Sequence, residues 1–249
     1  MAALDNHYYE LGLNSPWMNA AGFGGYLPQH NSDFPTPVGG FVTNPISLLP
    51  RTPSLTRNVL PYPGGFMLHT GSPNPGMKNV LKTYAKKWTN LAVSLWVHLL
   101  VTSPYEVQTM IRQLEETQSV AAIELGLPPD ADAKSQSELI RSAAGELPFY
   151  VCVPLDRAEP AIIEKIASLG ADGAVISAPR GIMVEKGKCR QGRLYGQALH
   201  PQMMAALHRL RGYNLPLIAG CGIFSKAQGE AALEAGAAAV QVDAWLWKF

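Results

Sequence analysis

One stretch in the last third of the chain leaves few architectures open. Leu215-Pro-Leu-Ile-Ala-Gly-Cys-Gly-Ile-Phe-Ser225 leads into a helical segment, and Glu234-Ala-Gly-Ala-Ala-Ala-Val-Gln-Val-Asp243 follows it. An apolar run, a glycine turn, a serine at the N-cap position, a glycine stop and a second apolar run spell a βαβ unit. Both runs are too apolar to have a wet face, so both are expected as central parallel strands beneath helices. Gly220-Cys221-Gly222 then falls at the carboxyl edge of the first strand, where α/β proteins place ligands. Glycine there permits close backbone approach, and the N–H groups beyond it can hold an anion. The same spacing also fits a purely structural tight turn.

The rest of the chain repeats this alternation. Apolar runs near residues 18, 40, 92, 121, 149, 173, 216 and 239 read as strands, and most are separated by helical patterns. The helices are expected over Met77 to Lys87, Val107 to Thr117, Ala133 to Ala144, Pro160 to Leu169, Pro201 to Arg211 and after Ser225. Ser103-Pro-Tyr-Glu106 combines an N-cap, a first-turn proline and a capping-box glutamate. Leu169-Gly-Ala-Asp-Gly-Ala-Val-Ile is echoed by Ala235-Gly-Ala-Ala-Ala-Val-Gln-Val. Eight such units in about 250 residues is the α/β pattern of a (β/α)8 TIM barrel over residues 1 to 249 as a single domain. An open doubly wound sheet stays available, because periodicity cannot show closure. Tyr8 to Met18 reads as an N-terminal hairpin. Pro45 to Gly76 reads as a long irregular loop or lid, and Ala178 to Leu199 as a basic linker carrying Arg180, Lys186, Lys188, Arg190 and Arg193. Trp245-Leu-Trp-Lys-Phe249 ends the chain soon after the eighth strand, so the last helix is expected truncated or missing.

Composition narrows the function classes. Lys+Arg of 20 against Asp+Glu of 19 leaves no field that would recruit nucleic acid or an anionic membrane. Neither a basic-apolar leader nor an apolar run of membrane-spanning length is present, which reads as cytoplasmic. The three cysteines have no metal-ligand spacing and the histidines are not paired, so reduced thiols and no metal are expected.

Several stretches in order resemble the dihydroorotate dehydrogenase family, flavin-dependent (β/α)8 barrels of pyrimidine biosynthesis. They are Asn14-Ser-Pro-Trp-Met-Asn-Ala-Ala-Gly22, Gly40-Phe-Val-Thr43, Gly71-Ser-Pro-Asn-Pro-Gly76, Ile123-Glu-Leu125, Gly170-Ala-Asp-Gly173, Gly192-Arg-Leu-Tyr-Gly196 and Ile218 to Val242. The resemblance implies flavin mononucleotide (FMN) across the carboxyl ends of the strands. Ala20, Ala21 and Gly22 would pass under the isoalloxazine ring, with Thr43 near it. Gly196, Gly222, Ile223, Asp243 and Ala244 would fall where backbone N–H groups hold the phosphate. A small-molecule substrate and a homo-oligomer, a dimer, are implied as well; the aromatic end of the chain suits a subunit contact.

The resemblance also marks departures. Family members hold the dihydropyrimidine with asparagines and a lysine, and a loop cysteine or serine removes a ring proton. Here Asn44 replaces the lysine, while Leu68, Gly126 and Ser177 replace asparagines and Cys152 replaces a second lysine; the resemblance counts Asn44, Cys152 and Ser177 among the cofactor-binding positions. The base loop reads Gly126-Leu-Pro-Pro-Asp130, without a nucleophile. Losing a positioned base typically slows a reaction 10²–10⁴-fold, so dihydroorotate oxidation by the usual route is not expected. Cys221 stands for one glycine of a pair, and Asp243-Ala244 for Gly-Thr; a carboxylate beside a phosphate is repulsive by ~1 kcal/mol or more. His69 and Ser72, beside the Gly71 turn, join Leu68 and Gly126 as candidate substrate-pocket residues, with His69 the candidate acid or base. Cys152 and Cys221 equally suit small apolar core positions, and Asp130 a solvated turn. The class alternative is a non-catalytic barrel binding a phosphorylated small molecule or no ligand.

Overall fold

A computed structural model describes residues 7–28, 37–54, 59–185 and 187–247. Eight parallel strands close into a barrel: β1 (Trp17–Asn19), β2 (Gly40–Val42), β5 (Ser94–Leu100), β6 (Val120–Gly126), β7 (Phe149–Pro154), β8 (Gly173–Ser177), β11 (Leu217–Gly220) and β12 (Ala239–Val242). Closure is made by β1 against β12, with Met18 opposite Gln241. Between them run α1 (Met77–Trp88), α2 (Pro104–Glu115), α3 (Ala133–Arg141), α4 (Pro160–Ser168), α5 (His200–Arg209) and α6 (Lys226–Glu234). The closed ring rules out the open-sheet alternative.

Capping chemistry sets several helix starts. The Ser103 hydroxyl accepts from the Glu106 N–H, Asp132 from Ser135 and Ser225 from Gln228, each satisfying a first-turn donor. The echoed turns are structurally equivalent: Gly170 and Gly236 both take positive φ just after a helix, and Ala171 and Ala237 donate back to Ile166 and Ala232.

Side chains alternate between two cores. Inward-facing Met18, Val42, Trp96, Ala122, Tyr150, Val175 and Ile218 fill the lower barrel, where Trp96 stacks on Tyr150 at 4.3 Å. Outward-facing Trp17, Val97, Ile123, Val151, Ile176 and Val240 pack beneath the helices. A Cβ on Gly229 of α6 would lie 2.1 Å from Cη2 of Trp17, so that glycine sets how closely the helix sits on the barrel. Each large apolar side chain buried this way contributes roughly 1.5–3 kcal/mol.

Three expectations change. The N-terminal hairpin is absent: His7–Tyr9 forms a 3-10 turn, and Leu11 and Leu13 join the inner core from the amino-terminal end. Gly12 takes the positive φ that the turn requires, which a strand reading of the segment does not provide for. Segments of both the Pro45–Gly76 stretch and the basic linker are regular. They fold together as an antiparallel sheet, β3 (Val59–Tyr62), β4 (Gly65–Leu68), β10 (Lys188–Tyr195) and β9 (Arg180–Glu185), in the order β3-β4-β10-β9. After β12 the described residues form only a 3-10 turn, Ala244–Leu246, as expected of a truncated last helix. Trp247 is not bare: it packs against Phe23 at 4.7 Å and Phe66 at 5.9 Å. Phe249 and Lys186 lie outside the described residues. No described helix is long and apolar enough to cross a membrane.

Candidate functional site

The carboxyl ends of the barrel strands and the antiparallel sheet enclose a cavity of about 440 Å3. Its floor is the upper layer of inward-facing residues, and polar groups replace apolar ones there. The wall from β1 is Ala20, Ala21, Gly22 and Phe23, whose small residues leave a surface against which a flat ring can rest. Asn44 borders the same wall and holds it in place: its Oδ1 accepts from the Gly25 N–H at 3.0 Å, and its own N–H donates to the Gly25 carbonyl at 2.6 Å. Leu68, His69, Ser72 and Gly126, all four candidate substrate residues, line the cavity with Cys152 and Ser177.

The charge balance of the walls is lopsided. Arg51, Arg180 and Arg193 face the cavity, and among the described residues Glu124 is the only acid in its lining. Arg193 donates to the Ser177 hydroxyl at 3.5 Å. Burial and the neighbouring Arg193 push the Arg180 guanidinium below its usual range, the mark of two like charges held together in half-dry surroundings. Such a pair is stabilised by an anion between them.

Half of the expected cofactor set is elsewhere. Ala20, Ala21, Gly22, Asn44, Cys152 and Ser177 line the cavity; Thr43, Gly196, Gly222, Ile223, Asp243 and Ala244 do not. Thr43 is fully buried and bridges strands, its Oγ1 accepting from the His98 N–H at 3.2 Å. A Cβ on Gly196 would meet the Gly64 carbonyl at 2.1 Å, and one on Gly222 would meet His200 N at 2.8 Å. Both glycines therefore serve close contacts within the protein.

The phosphate end is filled by the chain itself. Asp243 is wholly buried, and its Oδ1 accepts from the Ala244 N–H at 2.6 Å. Burial pushes its carboxyl up to about 7, opposed by the backbone N–H groups of Ala244, Asp243 and Gly222. The Phe224 N–H, at the start of α6, is taken by Gln228 Oε1 at 2.8 Å. Of the amides that the resemblance assigns to a phosphate, those of Gly222, Asp243 and Ala244 thus already face a carboxylate. The small residues of the β1 wall leave room for a flat ring, whereas amides already turned to a buried carboxylate do not suit the phosphate of FMN.

Neither cysteine behaves as a reactive group. Burial raises Cys152 and Cys221 well above the usual thiol range, with Glu124 adding to it for Cys152 and Asp243 for Cys221, so both stay neutral. All three cysteines are free. The base loop contributes Gly126, Leu127, Pro128 and Pro129 to the cavity, none of them a nucleophile or base, and Asp130 is exposed.

Three polar residues on the floor were not singled out from the sequence. His98 of β5, Glu124 of β6 and Gln241 of β12 project inward from strands at fixed register: His98 Nδ1 lies 2.9 Å from Glu124 Oε2, and the Gln241 amide donates to Glu124 Oε1. The available signal is a polar side chain at an inward position of an otherwise apolar strand, as in Ala-Ile-Glu-Leu and Val-Gln-Val.

The fold is a (β/α)8 barrel with a cavity at its carboxyl mouth. No protein-family profile matches the chain. It aligns with a Pediococcus pentosaceus protein named as a dihydroorotate dehydrogenase A (fumarate), 27% identical over 92% of this chain and 84% of that protein. The catalytic subunit of dihydroorotate dehydrogenase B (NAD(+)) of Pelobacter propionicus is 25% identical over 93% of this chain and 84% of its own length. The corresponding Trichlorobacter lovleyi subunit is 24% identical over 93% and 84%. The chain is thus similar over nearly its whole length to proteins named as dihydroorotate dehydrogenases, at 24% to 27% identity.

Proposed function

We propose that this chain is a dihydroorotate dehydrogenase-like oxidoreductase with a rebuilt pocket, one that takes a flat, anionic small molecule at the barrel mouth. The observation that carries the reading is the wall of small residues Ala20, Ala21 and Gly22 in one cavity with three arginines. A planar ring rests on backbone at the first, and a carboxylate or similar anion pairs with the second. Dihydroorotate oxidation itself is not supported, because the loop that should carry the base supplies Leu127, Pro128 and Pro129 instead.

FMN stands apart from this. Its ring suits the wall, but its phosphate seat belongs to Asp243, so the family's grip on the cofactor is not part of the proposal. The same observation favours a second reading, a ligand-binding barrel without redox chemistry. Purified protein that is yellow supports the oxidoreductase; colourless protein that takes up an anionic ring compound but no flavin supports the binding barrel.

Orotate, a planar pyrimidine carboxylate, is the probe for the shared part of both readings. Calorimetric titration is expected to show saturable binding, one per chain, weakening as salt rises. Arg193→Ala is expected to weaken it about tenfold, the equivalent of one charge-assisted hydrogen bond. No saturable binding, or binding indifferent to Arg193, would count against an anion site here.

A further inference from the structure

Gly126 occupies the place of a polar residue in the resembling family, and the volume it vacates is used: a Cβ there would meet His98 Nε2 at 2.7 Å and Cε1 at 3.3 Å. The imidazole edge therefore sits at the cavity wall where an amide side chain is missing, and both residues line the cavity. The other edge is fixed from below. Glu124 takes the Gln241 amide N–H on Oε1 and faces His98 Nδ1 at 2.9 Å on Oε2, so the carboxylate accepts on both oxygens and Nδ1 is the donor. That assigns the neutral ring its proton on Nδ1 and leaves the lone pair on Nε2, which has no hydrogen-bond partner among the described residues. His98 is also held through its backbone, by the Thr43 hydroxyl at 3.2 Å.

We propose that His98 is the proton-accepting group of this cavity, with Glu124 and Gln241 as its positioning residues. The inference rests on the ligand site proposed above and adds the chemistry. A proton on a ring C–H or N–H of the bound anion passes to Nε2. The bonding pair stays with the ligand and spreads over its ring, and the imidazolium formed is balanced by the Glu124 carboxylate 2.9 Å away. The three arginines stabilise the additional negative charge on the ligand. No electron acceptor enters this step.

His98, Glu124 and Cys152 also bring one ligand atom each within 4.8 Å of one another, a spacing a divalent cation could occupy. Three guanidinium groups around the same cavity oppose a cation, and Glu124 already has two partners. A proton site is the better use of the trio.

The test uses imidazole nitrogen NMR and diethyl pyrocarbonate, which acylates an accessible imidazole nitrogen. In the wild-type chain His98 is expected as the Nδ1–H tautomer, to be acylated at Nε2, and to be protected by orotate, roughly tenfold at ten times its Kd. Glu124→Gln removes the carboxylate and is expected to give a mixture of tautomers. Gly126→Ala is expected to push the ring from the wall and lower the acylation rate. An Nε2–H tautomer or an inert His98 in the wild type overturns the proposal without depending on any variant folding. Orotate that binds but gives no protection overturns it while leaving the ligand site intact, and failure of orotate to bind overturns the ligand site itself. One Zn²⁺ per chain, lost in Cys152→Ser, would make the trio a metal centre and overturn it too.

Discussion

Replacing Asp243 by Asn is expected to raise the melting temperature by roughly 10 °C at pH 8 and to leave it nearly unchanged at pH 4. The carboxyl is wholly buried at the barrel mouth, and burial pushes it up to about 7 from an ordinary value of 3.8. Between those two values the folded chain holds a proton that the unfolded chain has released. Stability is then highest below the unfolded value, falls as pH rises from about 4 to about 7, and stays low above that. Three pH units correspond to about 4 kcal/mol, and each kcal/mol moves the melting point of a domain this size by about 2–4 °C. Asn keeps the acceptor that receives the Ala244 N–H and removes the buried charge. Thermal melts of both proteins at pH 4, 6 and 8 check this; parallel pH profiles would show that Asp243 is not the strained group.

Glu124→Ala is expected to destabilise the fold by about 3–5 kcal/mol, read as a drop in the denaturant midpoint at unchanged slope. The loss comes from what stays behind: the Gln241 amide and the His98 Nδ1–H keep their inward positions inside the barrel with no acceptor, and neither reaches bulk water easily. Glu124→Gln should lose less, because the Gln241 amide can turn to offer its oxygen to the new amide donor. A loss below about 1 kcal/mol for Glu124→Ala would mean that water replaces the carboxylate and that the floor is a wet cavity rather than a fixed network.

The barrel was legible in the sequence because its strands are short, apolar and bracketed by caps. Ser103 and Ser225 mark helix starts, and Gly170 and Gly236 mark stops, through local hydrogen bonds that need no tertiary context. The antiparallel sheet over the mouth was not. Arg180–Glu185 alternates exposed and half-buried residues with Ile182 and Val184 outermost, so its apolar residues face solvent and the basic residues dominate the reading. Its hairpin partner Lys188–Tyr195 in turn pairs with Gly65–Leu68, more than a hundred residues earlier, and Pro61 disguises the edge strand Val59–Tyr62.

The site divides the same way. Ala20, Leu68, His69 and Gly126, which the resemblance assigns to the ring or the substrate, line the cavity. Gly196 and Gly222 do not: a glycine that permits close approach does not say whether the neighbour is a ligand or the protein's own backbone, here Gly64 and His200. His98 was passed over because its partners are set by barrel register: Glu124 is 26 residues away and Gln241 is a further 117 from Glu124.

The central claim is that this barrel mouth keeps a seat for a flat ring and has filled the phosphate seat from within. Titrating the purified chain with riboflavin and with FMN, followed by flavin fluorescence, tests it most directly. The account predicts that the phosphate adds nothing, the two affinities agreeing within about threefold, and that Asp243→Gly tightens FMN alone. FMN binding about a hundredfold tighter than riboflavin in the unaltered chain, the gain expected from two charge-assisted amide contacts, would contradict it.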